Sequence, residues 1–422
     1  MLNIEKYDLN SIQRNVVLLK ILMIVILSIL FPQLSKGQNV WTQIADTDTL
    51  NREQAVGFSI LGKGYVVTGH NCFGGYYNDL WEYDPVTDSW VQKEDFPGSG
   101  NNAAEGFSIG SFGYVVCGRI GMDNMSQELW EYDPTNDTWT QKASLPAPGR
   151  CLAFSFSIGT KGYLGTGWDD NFDYLQDFWE WDQSSDTWTQ KANFGGGPRS
   201  RGAAFSIGTK GYAGLGFDNN SVLKDDFWEY NSITDIWVQI SDYAGGPRCD
   251  VASFTICDKG YIAQGQFGPG NDLWEYDPTF GLWVEKAEID GSTREEACAF
   301  SIDSKGYVGT GVGVNFNCLN SFYEYSPDSC ITSEINEKKT QSSLNIYPNP
   351  YSTNATLTTN VNLENAILII HNSLGDVVKR INNMSDHTIV LDRNYLPSGL
   401  YYIQLIQDTK TIATNKLLII DL

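Results

Sequence analysis

The sequence is short of basic residues, of histidine and of closely spaced cysteines. It has 28 lysines and arginines against 51 aspartates and glutamates, and its formal net charge is −23. An acidic surface repels phosphate groups and anionic headgroups, which argues against nucleic acid as a partner. The eight cysteines include no Cys-x-x-Cys pair, so we predict no structural metal site.

Long apolar runs are also missing. The longest, residues 21–31 (ILMIVILSILF), follows Arg14 and Lys20, and it is shorter than the roughly 20 residues of a membrane-spanning helix. We therefore interpret residues 1–37 as a cleaved signal peptide. The alternative is an anchor helix that also uses 16–19, although Lys20 would interrupt it. Export permits disulfides.

Aromatic residues and glycine are abundant instead, and they recur with a fixed period. The sequence has 13 Trp, 22 Tyr, 20 Phe and 41 Gly. A Gly-Tyr step recurs at spacings of 49, 49, 49, 49 and 46 residues, with its tyrosines at Tyr65, Tyr114, Tyr163, Tyr212, Tyr261 and Tyr307. A "DLWEYDP"-like segment follows each step, led by Trp81, Trp130, Trp179, Trp228, Trp274 and Tyr323. A third series, the Trp of "DTWTQK", comprises Trp90, Trp139, Trp188, Trp237 and Trp283.

Each repeat contains four strand-like segments. In the fourth copy these are 203–208, 211–216, 226–230 and 237–241, in which aromatic and β-branched residues alternate between Gly, Asp and Asn punctuation. Four strands in a repeated unit of about 50 residues are typical of a propeller blade. The sequence therefore predicts an all-β fold.

The first residues after the predicted signal peptide complete this pattern. The sixth repeat lacks the closing Trp strand, but Trp41 stands 49 residues before Trp90. We predict that residues 40–44 pair with 321–325 as the outer strand of the sixth blade. A six-bladed propeller over residues 38–330 would then close without an open sheet edge.

The repeat resembles the kelch family over about residues 40–330. It has an Arg near the loop between strands d and a, an aromatic residue opening strand b, "W-x-Y-D-P", and a Trp eight or nine residues later. Kelch strand b usually ends in Gly-Gly, whereas only the second glycine is present here, at Gly69, Gly118, Gly167, Gly216, Gly265 and Gly311. Because of this departure, ligand residues of the family are not carried over.

The C-terminal part follows a different pattern. We interpret residues 331–343 as a polar linker and 344–422 as a small β-sandwich of about seven strands. This tail resembles the type A sorting domain of the type IX secretion system, in "YPNP" (347–350), in "NSLGDVV" around Gly375, in "LPSGLYYIQL", and in the closing "NKLLII". The resemblance implies a Gram-negative bacterium, the secretion machinery as a partner, and a protein released or attached to the outer surface. An ordinary adhesion module is the alternative.

Residues present in every repeat are predicted to be structural, since one ligand would break the pseudo-symmetry. Such a series is Glu82, Glu131, Glu180, Glu229, Glu275 and Glu324. An arginine series is nearly complete, with Arg52, Arg150, Arg199, Arg248 and Arg294, and with Asn101 in the second repeat. It would either pin its own loops or bind carboxylate or sulfate groups from the channel mouth. On the second reading Arg199, Arg248 and Arg294 are candidate ligand-binding residues.

Two residues after each arginine the symmetry fails. The six residues are Gln54, Ala103, Leu152, Arg201, Asp250 and Glu296. We predict that Gln54, Arg201, Asp250 and Glu296 form a polar wall of a ligand site that faces an apolar wall. Neutral drift would leave the same asymmetry.

Two loops between strands b and c carry further candidates. The third-repeat loop, "GWDDNFDYLQD", has Trp168 for stacking on a sugar and an oxygen-rich run that suits Ca²⁺. A solvated acidic loop is the alternative, and we expect no other cofactor. Cys72 and Cys318 lie in the b–c loops of the first and sixth repeats, which closure makes neighbours. We predict a disulfide between them, and two free thiols are the alternative.

Several enzyme classes are disfavoured by what the propeller lacks. His70 is its only histidine, which argues against a copper oxidase and against a Ser-His-Asp triad. Sialidase-type Asp boxes are absent. We expect a monomeric, non-enzymatic binding module that presents its top face to a glycan or protein. The alternative is a sugar epimerase, mutarotase or lyase that uses Arg201 with Glu296.

Overall fold

The computed structural model describes residues 39–46, 51–121, 124–289, 293–327, 344–349, 351–359, 363–372, 377–393, 396–407 and 410–419. The predicted signal peptide and linker lie outside these residues. The described part is almost entirely β-structure and forms two compact units, the smaller of which contains the C-terminal strands. In this part of the chain, none of the helices is long and apolar enough to cross a membrane.

Six four-stranded antiparallel sheets form the propeller, and their strands are called a to d from the channel outwards. The a strands are Val56–Ile60, Glu105–Ile109, Phe154–Ile158, Ala203–Ile207, Ala252–Ile256 and Cys298–Ile302. The b strands are Lys63–Val67, Phe112–Val116, Lys161–Gly165, Lys210–Gly214, Lys259–Ala263 and Lys305–Gly309. The c strands are Leu80–Asp84, Leu129–Asp133, Phe178–Asp182, Phe227–Asn231, Leu273–Asp277 and Phe322–Ser326. The d strands are Ser89–Lys93, Thr138–Lys142, Thr187–Lys191, Ile236–Gln239, Leu282–Glu285 and, for blade six, Val40–Gln43.

Short elements lie in the loops of three blades. They are the two-residue strand pairs Arg119–Ile120 with Asn124–Met125, Arg199–Ser200 with Phe217–Asp218, and Arg294–Glu295 with Val312–Gly313. A three-residue helical turn follows at Val314–Phe316.

The a strands contact one another in chain order around a closed ring, in which blade six meets blade one. The repeated Gly-Tyr step explains how neighbouring blades fit. Phe58 stacks on Tyr65 of its own blade, with ring centroids 5.6 Å apart, and also packs against Gly113 of the next blade. A Cβ atom on Gly113 would lie 2.3 Å from the Phe58 ring. Only glycine leaves room for this ring, and the same contact recurs between successive blades.

The N-terminal strand closes the ring as predicted. Val40–Gln43 pairs antiparallel with Phe322–Ser326, and Trp41 lies opposite Tyr325. The Trp41 indole N–H donates to the Ala287 carbonyl of blade five at 2.9 Å. This bond repeats the junctions between the other blades, such as that between the strand-d tryptophan Trp90 and Ala45 (2.8 Å). Closure therefore uses the ordinary blade-to-blade contact.

The repeated glutamates have the structural role that the sequence predicts. Glu82, for example, accepts a hydrogen bond from the Tyr65 hydroxyl at 2.7 Å and lies 3.8 Å from the Lys93 ammonium. Equivalent tyrosine contacts are made by Glu131, Glu180, Glu229 and Glu324. These carboxylates join strands within a blade.

The C-terminal unit contains two sheets around one apolar core. Its strands are Leu344–Tyr347, Asn354–Thr359, Ala366–His371, Val377–Met384, Thr388–Asp392, Gly399–Gln407 and Lys410–Ile419. The first, second and fifth form one sheet, and the other four form the second. Asn349 of "YPNP" donates to the Lys416 carbonyl (2.7 Å) and accepts from the Leu418 N–H (2.8 Å). These bonds tie the first motif to the closing strand, while the predicted turn around Gly375 lies outside the described residues.

Candidate functional site

The six residues at which the repeat symmetry fails form a ring at the channel mouth. Each of them has a positive φ, between 48° and 59°. Each N–H donates to the carbonyl of the equivalent residue in the preceding blade, at 2.9–3.3 Å, and the circle closes from Gln54 to Glu296. A positive φ is costly for residues other than glycine, so the ring is held by this circle of bonds. The backbone is common to all six blades and only the side chains differ.

One half of the ring is polar, as the sequence predicts. The Arg201 Nη1 atom lies 2.7 Å from Asp250 Oδ2 and 3.0 Å from Glu296 Oε1. Gln54 Nε2 donates to the same Glu296 oxygen at 2.8 Å. Burial disfavours the charge of Arg201, but the two carboxylates outweigh it and raise the pKa of the guanidinium. Arg201 is therefore a permanent cation in this network.

The other half is apolar. Ala103 and Leu152 pack with Met125 and Cys151, and the Trp168 side chain lies against this cluster. Trp168 also contacts the polar half, because the Arg201 guanidinium carbon is 5.6 Å from its ring centroid. The polar and apolar walls thus meet at Trp168.

Sequence reasoning missed two carboxyl groups, Glu53 and Glu295. Burial raises the pKa of Glu53 to about 8, helped by its hydrogen bond to Glu296 and by the negative charges of Glu296 and Glu295. Burial likewise raises the pKa of Glu295 and brings that of Asp250 to about 6. The repeat held a signal for Glu53 and Glu295, since the position before each ring residue also varies between blades.

Glu53, Glu295 and Glu296 line a cavity of about 570 Å³, which we call the top-face bowl. Its lining includes Glu53, Cys72, Trp168, Tyr174, Arg201, Phe217, Ser221, Gln266, Glu295, Glu296, Val312 and Phe316. A cavity of about 200 Å³ at the ring is lined by all six ring residues and by the starts of the a strands, including Glu105. The bowl combines aromatic rings with carboxyl, amide and guanidinium groups.

Exposed apolar side chains lie on the loops around the bowl. Among the described residues, five b–c loops present exposed apolar side chains, and we call the most prominent one of each loop the apolar rim. It comprises Phe73 (95% exposed), Phe172 (55%), Val222 (50%), Phe267 (64%) and Phe316 (80%). Exposed apolar side chains thus lie on the same face of the propeller as the bowl.

Arg199, Arg248 and Arg294 require a correction. Each is at most 3% exposed, so none reaches the bowl. Arg199 pairs with Asp226 (2.7 Å) and Arg248 with Asp272 (2.8 Å), both within their own blades. Arg294 donates to the Ser321 carbonyl at 2.9 Å. The structure therefore supports loop pinning rather than a ring of arginines for acidic ligands.

In the acidic loop of blade three, aspartate oxygens accept hydrogen bonds from backbone N–H groups. Asp169 Oδ1 accepts from the N–H groups of Asn171 and Asp173, both at 2.9 Å, and Asp170 accepts from the Met125 N–H at 2.6 Å. Asp218 of blade four makes the same kind of turn. The acidic character of the loop thus has a structural cause, and the Ca²⁺ site stays a prediction.

Cys72 and Cys318 form a disulfide in the structure, with Cα atoms 5.6 Å apart. The bond joins the b–c loops of blades one and six beside Glu53. Cys257 is disulfide-bonded as well. Within the described residues, Glu53, Cys72 and Cys318 lie close enough to share an ion, but both sulfur atoms are committed to each other.

The sheets, the closed ring and the repeat define the class: a six-bladed, kelch-like β-propeller. A solved structure titled "Structure of YjhT" is similar, with a TM-score of 0.56 and 14% sequence identity over 66% of this chain and 96% of that chain. Residues 345–420 match the secretion system C-terminal sorting domain family, Por_Secre_tail, which confirms the predicted tail. The comparison with curated proteins gives no match. The chain is thus a propeller that the type IX system sorts to the cell surface or the extracellular space.

Proposed function

We propose that the propeller is an exported carbohydrate-binding module and that its ligand occupies the top-face bowl. The observation that carries this proposal is the lining of the bowl, in which aromatic side chains face hydrogen-bonding groups. Trp168 and Phe217 offer flat apolar surfaces, while Gln266 and Glu295 offer polar atoms. A sugar ring has C–H faces that stack on aromatic rings and hydroxyl edges that form hydrogen bonds.

The apolar rim favours a polymeric glycan over a single sugar. Its side chains lie on the loops that surround the bowl, and Phe73 is 95% exposed. One sugar unit in the bowl would leave most of this surface uncovered. A chain of several units would contact both the bowl and the rim. The sorting domain supports the same role, because it directs the protein to the surface, where such polymers lie.

A glycan array probed with the secreted protein, with and without Ca²⁺, tests the proposal. We expect selective binding that is lost in Trp168→Ala and reduced in Phe217→Ala. Ile233→Ala is the matched control, since Ile233 is 83% exposed in a strand c–d turn, away from the bowl. Thermal unfolding checks that each variant is folded. Array binding that is absent, or equal in the wild type and both bowl variants, would contradict the proposal, and capture of a protein by the same face would replace it.

A sugar epimerase or mutarotase is the second candidate, and one observation favours it. Glu53 holds a proton at neutral pH and is hydrogen-bonded to Glu296, while Glu296 accepts from Arg201 and Gln54. Two carboxyl groups in such different surroundings can act as acid and base. For an enzyme, Glu53→Gln should lower kcat by about 10²-fold or more. A binding module should show no turnover of a bound sugar by NMR.

A further inference from the structure

We propose that the top-face bowl selects a sugar unit with a free, protonated amine over the same unit in N-acetylated form. This inference rests on the proposed function and specifies the charge of the ligand. It follows from the charges that face the bowl and, independently, from its aromatic lining.

Carboxyl groups outnumber cations in the bowl. Glu53, Glu295 and Glu296 line it, and Asp250 lies at the ring below. Arg201 already bridges Asp250 and Glu296, at 2.7 Å and 3.0 Å. The positive charge of Arg201 is therefore already compensated by these two carboxylates. The remaining carboxyl groups, those of Glu53 and Glu295, give the bowl an excess of acceptors. An ammonium group supplies both the missing charge and three N–H donors.

The aromatic lining is also suited to a cation. Trp168, Tyr174, Phe217 and Phe316 line the same cavity, and the faces of such rings attract positive charge. Trp168 already carries the Arg201 guanidinium at 5.6 Å.

Proton release gives the proposal a readout that neutral sugar binding lacks. The groups facing the Glu53 carboxyl are His70, with Nδ1 at 3.3 Å, together with Glu295, Glu296 and Arg201. Burial and the neighbouring acids raise the pKa of Glu53 to about 8, so at pH 7 it holds a proton. A bound ammonium favours the carboxylate and displaces that proton.

Isothermal titration calorimetry of the whole secreted chain with two tetrasaccharides tests the inference. One probe is the tetramer of glucosamine and the other is the tetramer of N-acetylglucosamine, which differ in charge at each nitrogen. At pH 6 and low salt, where both the sugar amine and Glu53 hold their protons, we expect the amine form to bind about tenfold more tightly, the effect of one charge-assisted contact. Its binding enthalpy should depend on the ionisation enthalpy of the buffer, which reveals proton release. Added salt should reduce the preference.

Glu53→Gln is the test variant, because glutamine keeps the shape and charge of the protonated acid. It should abolish the buffer dependence and most of the preference for the amine form over the N-acetylated form. Glu94→Gln is the control: Glu94 lies on an exposed segment after strand d of blade one, outside the bowl. Its replacement should change neither the buffer dependence nor the preference for the amine form. Equal affinity for the two probes would overturn this inference alone. Binding of neither probe would also overturn this inference, whereas carbohydrate binding by the bowl is decided separately by the glycan array.

Discussion

Arg294 differs from its counterparts in the residue that faces it. In blades one, three, four and five the buried arginine pairs with an aspartate, namely Asp79, Asp177, Asp226 or Asp272. In blade six Ser321 stands at that position and offers its carbonyl and hydroxyl to Arg294. Burial lowers the pKa of Arg294, so its charge is less well compensated than in the other blades.

Ser321→Asp should therefore stabilise the propeller. A carboxylate there would complete the pair already present in four blades, with a gain of about 1–3 kcal/mol in the free energy of unfolding. Chemical denaturation measures the effect. Ser321→Asn, which has the same shape without the charge, should gain much less. An unchanged or lower stability of the aspartate variant would show that Arg294 is already satisfied.

Glu105 makes a second prediction at the scale of one residue. It opens strand a of blade two, where the other blades have Val56, Phe154, Ala203, Ala252 and Cys298. Part of its surface opens into the channel, but protein encloses the carboxyl group, and burial raises its pKa from 4.5 to about 8. Ser155 Oγ donates to it at 3.4 Å.

The folded state therefore binds this proton more tightly than the unfolded chain does. The resulting stability is fully present below pH 4.5 and is lost as the pH rises through about 8. Glu105→Gln should gain stability over the wild type between pH 5 and pH 9, of the order of a few kcal/mol. Chemical denaturation of the wild type and of Glu105→Gln at pH 5 and at pH 9 gives the stability difference at each pH. The exposed Glu94→Gln variant is the control, since its stability difference should not change with pH. If the stability difference between Glu105→Gln and the wild type is the same at both pH values, Glu105 is ionised in the folded protein.

At the scale of the elements, the N-terminal strand is predicted to be essential to the fold. Trp41 is 6% exposed, packs on Tyr325 with ring centroids 5.0 Å apart, and donates to the Ala287 carbonyl. Trp41→Ala should lower the free energy of unfolding by about 3–5 kcal/mol, as expected for a buried tryptophan. Val40→Ala, at an exposed position of the same strand, should cost under about 1 kcal/mol. Similar losses in both variants would contradict closure by this strand.

The strands could be predicted because every blade packs against the next one through the same contact. The Phe58 ring must fit over Gly113 of the next blade, so the Gly-Tyr step recurs with the blade itself. Boundaries differ by a residue or so: the predicted strand 226–230 is Phe227–Asn231, and 237–241 is Ile236–Gln239. Such ends depend on individual hydrogen bonds, which the repeat pattern does not report.

The site was only partly predictable, for a physical reason. A break in symmetry located Arg201, Asp250 and Glu296, but the direction of a repeated side chain is invisible in a periodic pattern. Arg199 faces Asp226, 27 residues later, and this second repeated residue was the available sign that the arginines are internal. The raised pKa of Glu53 depends on neighbours from another blade, and no local pattern contains them.

For the whole molecule, the sorting domain predicts where the protein goes. Residues 345–420 match the sorting family, so a chain ending at Ser343 should fail to reach the surface or medium of a host with type IX secretion. Fractionation with an antibody against the propeller measures this. The full-length Ile233→Ala variant should be exported normally. Release of the truncated chain would show that the tail is not the sorting signal.

The position of a bound sugar tests the central claim most directly. A crystal structure of the protein with the glucosamine tetramer should show one sugar ring stacked on Trp168 in the top-face bowl. Its ammonium nitrogen should lie within about 3 Å of a Glu53 or Glu295 carboxylate oxygen. A tetramer bound elsewhere on the propeller, or an empty bowl at saturating sugar, would contradict the account.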